Sequence, residues 1–382
     1  MSKANVFAIM CFLWASFLKA QIVFIPDVNF KNTLINLNCV DVDGDGIPEE
    51  DVDLNDNGKI EVSEAEVVEN LIVRAEEIQS LEGIEAFLNL KRINCSQNLL
   101  TNLDFSQNPA LEEINCFFND LVDINVTQNT QLRIINCDFN LLTNLDLTQN
   151  LLLERWWCTY NYFETIDVSQ NTLLKNLNIS SNKLSTIDVS QNTALEKLYL
   201  NNNFLSSIDV SQNVQLHFLD CSYNLMENLN LAANQALTNL VCRNNLLHEL
   251  NFKTGTNDAV IYFNSEQNPT LSCIEVDNPE YSYSQSNWVK DIATEYALNC
   301  NLSVLSNSTP IIKLYPNPAI DVLKVVSPVD LKKISVFSVL GNKLLEVSEN
   351  LNEISIATLP SGLLIIQLDT NEGNLVKKVI KL

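Results

Sequence analysis

The stretch that decides the fold covers residues 90–108, which read LKRINCSQNLLTNLDFSQN. Its pattern of apolar residues, one cysteine and two asparagines returns every 21 residues as far as residue 245. The cysteine, Cys95, recurs at Cys116, Cys137, Cys158, Cys221 and Cys242, with Ile179 and Leu200 in the two remaining places. The first asparagine, Asn98, recurs in seven later units, and the second, Asn108, recurs in six. The stretch therefore consists of one unit repeated many times.

A period of about 20–29 residues with the form L-x-x-L-x-L-x-x-N-x-L is the signature of a leucine-rich repeat. One unit offers roughly six apolar side chains, worth about 1.5–3 kcal/mol each when buried. Ordering each of its residues costs roughly 1.5 kcal/mol, so a lone unit cannot fold. Stacked units bury both faces and pair their short strands in a parallel ladder, about 4.8 Å apart. The sequence therefore predicts a solenoid over residues 71–276.

The repeated polar positions have predictable roles. An asparagine side chain supplies a hydrogen-bond donor and an acceptor to the backbone of a turn. The two recurring asparagine positions, which we call the asparagine columns, therefore predict two asparagine-stabilised corners in each turn of the coil and little helix. A free cysteine packs as a small hydrophobe, and Ile179 and Leu200 share its place, which favours packing over a metal array or a run of disulfides. Parallel Cβ atoms about 4.8 Å apart exceed the ~3.8 Å of a disulfide. We therefore predict six reduced thiols.

Charge and motifs exclude several function classes. The net charge of −24 argues against nucleic acid and anionic membrane surfaces as partners. Residues 21–89 hold 17 acidic and 3 basic residues, so the acid is concentrated near the N-terminus. The only histidines are His217 and His248, and no Gly-rich phosphate loop, G-x-S-x-G or H-E-x-x-H is present.

Residues 53–64, DLNDNGKIEVSE, match an EF-hand calcium loop at each ligand position. The predicted ligands, with Lys59 contributing its carbonyl, are Asp53, Asn55, Asn57, Lys59, Glu61 and Glu64. Just before them, residues 41–51 resemble thrombospondin type 3 calcium loops, with Asp41, Asp43 and Asp45 as predicted ligands. This first loop is the weaker match, because Val52 stands where an EF-hand has glutamate.

The calcium loop can act as a sensor switch or as a structural staple. A sensor needs a helix pair that opens onto a groove. Here Glu64 leads almost directly into Val68-x-x-Leu71-x-Val73, the predicted first strand, which favours the staple. Residues 26–37 predict a capping helix with Phe30, Leu34 and Leu37 on one face, so residues 21–70 form a small helical N-terminal cap. Two asparagine ligands predict a weak affinity, roughly 10⁻⁴–10⁻³ M.

The two ends of the chain have their own patterns. Residues 1–20 have the form of a secretory signal, and the apolar run 6–18 is too short to span a membrane. Cys273 and Cys300 bracket a predicted C-terminal cap, residues 277–300, and a disulfide there is worth about 3–4 kcal/mol. Cys39 has no evident partner. After a polar linker, residues 301–310, short alternating strands over residues 311–382 predict a small Ig-like β-sandwich.

The mature chain resembles secreted leucine-rich-repeat proteins of Bacteroidetes bacteria. The matching segments are IPD at 25–27, NCVD at 38–41, VSEA at 62–65, GIEAF at 83–87 and DVSQNT at 167–172. Its end resembles the type A sorting domain of the type IX secretion system, through LYPNP at 314–318, Gly341, LPSG at 359–362 and KKVIK at 377–381. These resemblances imply a surface adhesin, export through periplasm and outer membrane by that machinery, and removal of the tail on arrival.

Eight aromatic residues occupy outward positions beside the cysteine place. They are Phe117, Phe118, Phe139, Trp157, Tyr160, Tyr199, Phe218 and Tyr223. In one interpretation the rings stack along the ladder for stability. In the other they form a platform on the concave face for a protein or a glycan, since flat rings give contact area at low entropic cost. Trp156 occupies a core leucine position and is predicted to pack.

The sequence thus predicts a mainly β protein, a leucine-rich-repeat solenoid with an EF-hand-like N-terminal cap, structural calcium and a C-terminal β-sandwich. The leading function is a non-enzymatic binding or adhesion protein, displayed on or released from the bacterial surface. One alternative is a structural surface or matrix component without a specific ligand. The other is an exported hydrolase or its accessory, although no acid–base pair or nucleophile stands out beyond the calcium loops.

Overall fold

A computed structural model describes residues 21–300, 312–339, 341–371 and 373–382. They form two compact units, which divide after Cys300. The predicted signal, residues 1–20, and the predicted linker, residues 301–310, lie outside the described residues. None of the helices in the described ranges has the length and apolar character needed to traverse a bilayer.

The first unit is built on a parallel sheet with one three-residue strand in most turns of the chain. Its described strands are Asn70–Ile72, Arg92–Asn94, Glu113–Asn115, Ile134–Asn136, Arg155–Trp157, Asn176–Asn178, Lys197–Tyr199, Phe218–Asp220, Asn239–Val241, Tyr262–Asn264 and Trp288–Val289. Equivalent residues pair from turn to turn, so Ile93 lies beside Ile114 and Ile114 beside Ile135. This register confirms the predicted leucine-rich-repeat solenoid.

A second row of short parallel strands lies later in some turns, and the sequence analysis did not predict it. One pair is Asn102–Asp104 with Asp123–Asn125. A further group is Asn228–Asn230, Glu249–Asn251, Cys273–Glu275 and Glu295–Ala297. Its central residues, such as Leu103 and Leu229, are buried, so these strands face the same core.

The helices are few and short. The predicted capping helix is Val28–Asn36, and Asp27 caps it by accepting hydrogen bonds from the backbone of Asn29 and Phe30. Phe30 and Leu34 are buried, whereas Leu37 follows the helix and is exposed. The remaining helical segments are Val62–Ala65, Ile84–Ala86, Asn257–Ala259 and Pro279–Ser284. The loop at 53–64 ends within the one-turn helix Val62–Ala65, and no helix of the described residues directly precedes it.

One continuous core runs from Ile25 to Tyr296. It contains the leucine positions and the whole cysteine column, all buried. Trp156 is 1% exposed and contacts Phe163 edge-on, with ring centroids 5.9 Å apart, so it packs in the core.

The first asparagine column joins each turn to the one before it. The Asn161 side chain accepts a hydrogen bond from the Leu142 N–H at 2.9 Å and donates to the carbonyls of Cys137 and Cys158. In the second column, Asn171 donates to the carbonyls of Leu147 and Asn150 at 3.1 and 3.0 Å. Its Oδ1 is buried without a hydrogen-bond partner among the described residues. Both columns therefore support corners of the coil.

The C-terminal end of the solenoid differs from the prediction. The solenoid was expected to end at residue 276, but Trp288–Val289 extends one ladder and Glu295–Ala297 the other. The period is broken here, and Trp288 and Tyr296 fill the core in place of leucine. Cys273 and Cys300 form a disulfide with their Cα atoms 5.8 Å apart.

The second unit contains two antiparallel sheets around a core of its own. One sheet consists of Lys313–Tyr315, Val322–Val326 and Glu353–Ser355. The other consists of Lys343–Val347, Leu331–Ser338, Gly362–Thr370 and Gly373–Lys381. These two antiparallel sheets agree with the small β-sandwich predicted over residues 311–382.

Candidate functional site

The turn after each strand of the main sheet has a left-handed backbone at one fixed position, two residues beyond the cysteine place. We call these residues the turn column. They are Gln97, Phe118, Phe139, Tyr160, Ser181, Asn202, Tyr223 and Asn244, with φ between 52° and 58°. The conformation costs most residues about 1–2 kcal/mol, and asparagine tolerates it best. Four of the eight are nevertheless aromatic.

The predicted platform therefore divides into two groups rather than forming one surface. Four of its residues belong to the turn column. Trp157 and Tyr199 end their strands and Phe218 begins its strand, while Phe117 lies between the cysteine place and the turn column. The strand residues are half-buried, whereas those of the turn column are 37–55% exposed.

Ring contacts hold most of these side chains in place. Phe118, Phe139 and Tyr160 stack face to face, with ring centroids 4.4 and 4.6 Å apart. Phe117 closes the first end of this stack, edge-on to Phe118 at 5.7 Å. On the strands, the Tyr199 and Phe218 rings lie 4.6 Å apart. Inside the stack the ring faces cover one another, so the middle ring presents its edge to solvent.

A second exposed row was missed by the sequence analysis. It lies two residues beyond the turn column, on the other side of the buried first asparagine. Its apolar members are Leu99, Leu141, Tyr162, Phe204, Leu225 and Leu246, each at least 40% exposed. Lys183 belongs to the same row, and its Nζ lies 4.8 Å from the centre of the Tyr162 ring. The sequence signal was available, because each residue directly follows an asparagine of the first column.

The first acidic loop brings four carboxylates together. One oxygen from each of Asp41, Asp43, Asp45 and Glu49 lies within 4.8 Å of the others. Asp41 is buried, and both of its oxygens accept backbone hydrogen bonds, from Gly44 at 2.7 Å and Gly46 at 3.0 Å. Glu49 was not among the predicted ligands, although it stands at position 9 of the loop pattern. Converging hard oxygen donors are the chemistry that suits calcium.

The second loop converges as well, through carboxylates and amides. The Asn55 amide donates to Glu61 and Glu64 at 2.9 and 2.8 Å, and the Asn57 amide donates to Glu61 at 3.0 Å. Asp53 accepts hydrogen bonds from the backbone of Asn57 and Gly58. Lys59 is exposed between these groups. The carboxylates face amide N–H groups, and rotating the two amides presents oxygens to the same point. The residues therefore fit a calcium ion.

The remaining cysteines of the described residues are free and buried. They are Cys39, Cys95, Cys116, Cys137, Cys158, Cys221 and Cys242. Burial raises the pKa of Cys95 to about 12, and burial together with the Asp51 carboxylate raises the pKa of Cys39 to about 12. The Cys39 and Cys95 thiols are therefore protonated at neutral pH, which disfavours both metal binding and nucleophilic chemistry at these two residues.

Comparison with known proteins identifies the end of the chain. Residues 313–382 match the family model of the secretion system C-terminal sorting domain. No curated protein matches the sequence.

Several solved structures are similar to the chain. The functional domain of InlJ from Listeria monocytogenes, described as including a cysteine ladder, is 20% identical with a TM-score of 0.49, covering 95% of this chain and 98% of that one. A leucine-rich-repeat protein of Leptospira interrogans is 22% identical with a TM-score of 0.49, covering 59% and 66%. Internalin C2 of Listeria monocytogenes is 17% identical with a TM-score of 0.46, covering 56% and 92%. These likenesses do not define a function.

Proposed function

We propose that this chain, which carries a type IX secretion sorting domain and is exported to the cell surface or beyond it, is a non-enzymatic binding protein of adhesin type. Its solenoid holds a protein or glycan ligand. The observation that carries the proposal is the pair of exposed rows, the turn column and the row two residues beyond it, whose aromatic and apolar side chains recur in register along the ladder. Phe118, Tyr160 and Phe204 are 50%, 55% and 56% exposed. Contiguous exposed apolar surface marks interaction sites.

A structural surface or matrix component is the second candidate. The stack of Phe118, Phe139 and Tyr160 favours it, because rings that cover one another stabilise the ladder without a ligand. Tyr199 and Phe218 contact each other on the strands in a similar way. The two candidates differ in one property, since only a binding protein shows a saturable ligand.

An array of glycans and extracellular proteins, probed with the purified full-length protein, separates the candidates. We expect saturable binding that Trp157→Ala weakens about tenfold, because Trp157 lies on the strand face between Asn136 and Asn178. Leu151→Ala is the matched control, since Leu151 is exposed in the turn after Asn150, away from the strands. Absence of any saturable ligand supports the structural component. Turnover of a polysaccharide or peptide contradicts both.

We also propose that calcium binds both acidic loops and staples the N-terminal cap to the solenoid. Asp41, Asp43, Asp45 and Glu49 would hold one ion. The other would be held by the second-loop ligands, Asp53, Asn55, Asn57, the Lys59 carbonyl, Glu61 and Glu64. The first acidic loop contacts the first strand of the solenoid, because the Asn70 side chain donates a hydrogen bond to the Asp41 carbonyl at 2.8 Å. An ion here would fix the position of the first strand.

Calorimetric titration of the full-length protein with calcium tests this assignment. We expect two sites in the native sequence and one in each of Glu49→Gln and Glu64→Gln. Glu50→Gln is the control, because it removes the same charge beside Glu49 outside the cluster. A single site that only Glu64→Gln abolishes would show that the first loop binds no ion.

A further inference from the structure

The stacked rings of the turn column stop at Tyr160, and the column then carries two small polar residues. Ser181 and Asn202 follow in the next two turns, and the next ring is Tyr223. We call Tyr160, Ser181, Asn202 and Tyr223 the tyrosine slot. The two tyrosines are three turns apart, which places them about 14 Å from each other at a strand spacing of about 4.8 Å. The slot therefore has places for two ring-sized groups at the spacing of the stack.

Each tyrosine is supported on the side away from the slot. The Phe139 ring covers one face of Tyr160, with centroids 4.6 Å apart. The guanidinium carbon of Arg243, one turn further along, lies 5.1 Å from the centre of the Tyr223 ring, and Arg243 donates a hydrogen bond to its hydroxyl. Tyr160 is 55% exposed and Tyr223 39%. The open sides of both rings therefore border the slot.

Backbone strain indicates that Tyr223 is kept for a reason other than ring stacking. Its φ is 53°, a left-handed conformation that Asn202 and Asn244 adopt at the same column position. A tyrosine there costs about 1–2 kcal/mol more than an unstrained residue. Phe118, Phe139 and Tyr160 offset this strain by stacking, but Tyr223 has no ring neighbour in its column. Strain held against local preference concentrates at binding and catalytic sites.

The chemistry of the slot is aromatic at its walls and neutral and polar between them. The turns at residues 180–183, 201–204 and 222–225 contain no aspartate or glutamate, in a chain that holds 47. Hydroxyl and amide groups line the gap, and Lys183 rests on the Tyr162 ring at its rim. A pyranose ring has the matching chemistry, an apolar face for an aromatic ring and hydroxyls at its edge for amides.

We propose that the tyrosine slot binds carbohydrate, with one pyranose ring against Tyr160, a second against Tyr223, and their hydroxyls bonded to Ser181 and Asn202. The inference rests on the proposed binding function and names its ligand class. An oligosaccharide that is branched or folded back on itself supplies two such rings side by side.

Titration of the full-length protein with hexasaccharides of glucose, mannose, N-acetylglucosamine and galacturonate tests the slot. We expect saturable binding of at least one, weakened about tenfold by Tyr160→Asn or Tyr223→Asn. Asparagine is the replacement because it already occupies this column at Asn202 and Asn244. Phe118→Asn is the matched control, since Phe118 has the same backbone but lies between Phe117 and Phe139. We expect it to leave the affinity within about twofold.

Three outcomes overturn the assignment to carbohydrate. They are failure of all four saccharides to bind, binding that neither tyrosine variant weakens, and slot-dependent capture of an aromatic peptide instead. A protein ligand that depends on Trp157 while no saccharide binds would refute the slot and leave the proposed function intact. Absence of any saturable ligand, on the array and among the saccharides, would refute both.

Discussion

The regular turns between Arg92 and Asn251 and the acidic segment between Asp41 and Glu64 bury polar groups in opposite ways. In the turns the buried polar side chains are mostly neutral amides, each bonded to the backbone of two turns. In the segment, carboxylates converge on one another. Neutral amides need no partner from solution, whereas converging anions repel each other until a cation joins them. The middle of the solenoid is therefore self-sufficient, whereas we expect the stability of its N-terminal end to depend on a cation from solution.

The largest expected effect concerns the neutral turns. We expect Asn161→Ala to lower the free energy of unfolding by roughly 3–5 kcal/mol, because it leaves the buried Leu142 N–H without a partner and removes one of the two side-chain amides that donate to each of the Cys137 and Cys158 carbonyls. Asn171→Ala removes one hydrogen bond from each of the Leu147 and Asn150 carbonyls, which still accept from backbone N–H groups, and it also removes a buried unpaired oxygen, so about 1 kcal/mol is expected. Urea unfolding followed by circular dichroism measures both. Equal losses would show that the two columns are equivalent supports.

A disulfide between Cys273 and Cys300 closes the C-terminal end of the solenoid, unlike the turns before it. Replacing Cys273 and Cys300 with serine together should lower the free energy of unfolding by about 3–4 kcal/mol, because the bond closes a loop of 27 residues in the unfolded chain. Unfolding in urea under non-reducing conditions measures the loss.

Alkylation in the unfolded, unreduced protein gives the matching control. It should label Cys39 and the six cysteines of the repeats and spare Cys273 and Cys300. In the folded protein the six should react slowly, since they are buried. Failure to label any of the six in the unfolded chain would mean that the column is oxidised.

Calcium should act on the acidic end alone. At about 10 mM calcium and a Kd of about 10⁻⁴–10⁻³ M, one site adds roughly 1.4–2.7 kcal/mol to stability. The melting temperature should rise with calcium and fall with chelator, while the far-ultraviolet spectrum of the folded solenoid stays the same. The variant Glu49→Gln with Glu64→Gln should lose this dependence. A melting temperature that is identical in chelator and in calcium would show that the acidic segment does not depend on calcium.

The smallest expected change in the free energy of unfolding concerns Asp220, an aspartate in the otherwise mostly neutral repeats. Burial raises the pKa of Asp220, opposed in part by hydrogen bonds from Ser222. The folded state therefore binds the proton more tightly than the unfolded state, so stability falls as pH rises through the raised pKa and recovers on acidification toward about 3.9. Asn94 and Asn178 hold the equivalent place and accept the same hydrogen bonds.

Asp220→Asn should therefore stabilise the protein at pH 7 by up to about 1 kcal/mol. The gain should shrink as the pH falls, and unfolding curves at pH 4 and pH 7 measure it. Asp209→Asn is the control, because hydrogen bonds from Ser211 lower the pKa of that exposed carboxyl. A gain that stays constant with pH would mean that the ionised carboxylate is not the cause.

The repeats were predictable because each buried column of the coil is filled by one residue type or by a side chain of similar character. Leucine, cysteine and asparagine recur at fixed spacing, and only a stack satisfies all three. The split of the aromatic residues was not visible, since alternation along a strand does not show where the backbone turns left-handed. Asn202 and Asn244, in the same column as Tyr160 and Tyr223, were the available hint. The added strands at Trp288 and Glu295 were missed because the period breaks there.

The acidic loops show a different limit of sequence reasoning. The consensus at residues 53–64 drew attention to the second loop, whereas four carboxylates meet in the first. Glu49 joins them because the backbone between Gly44 and Gly46 folds around Asp41, bringing residues eight positions apart to one point. Val52, which weakened the match, is 1% exposed and belongs to the core.

Because the register is the same in every turn, the distance between two equivalent residues is set by the number of turns between them. Because each unit contacts only its two neighbours, inserting or deleting one whole unit between Tyr160 and Tyr223 changes their separation by about 4.8 Å and preserves every lateral contact. The distance between two anchoring rings can thus be reset in fixed increments, without redesign of the interior. If the tyrosine slot binds a ligand as proposed, a change in the number of repeats alone would alter the size of the ligand that fits it.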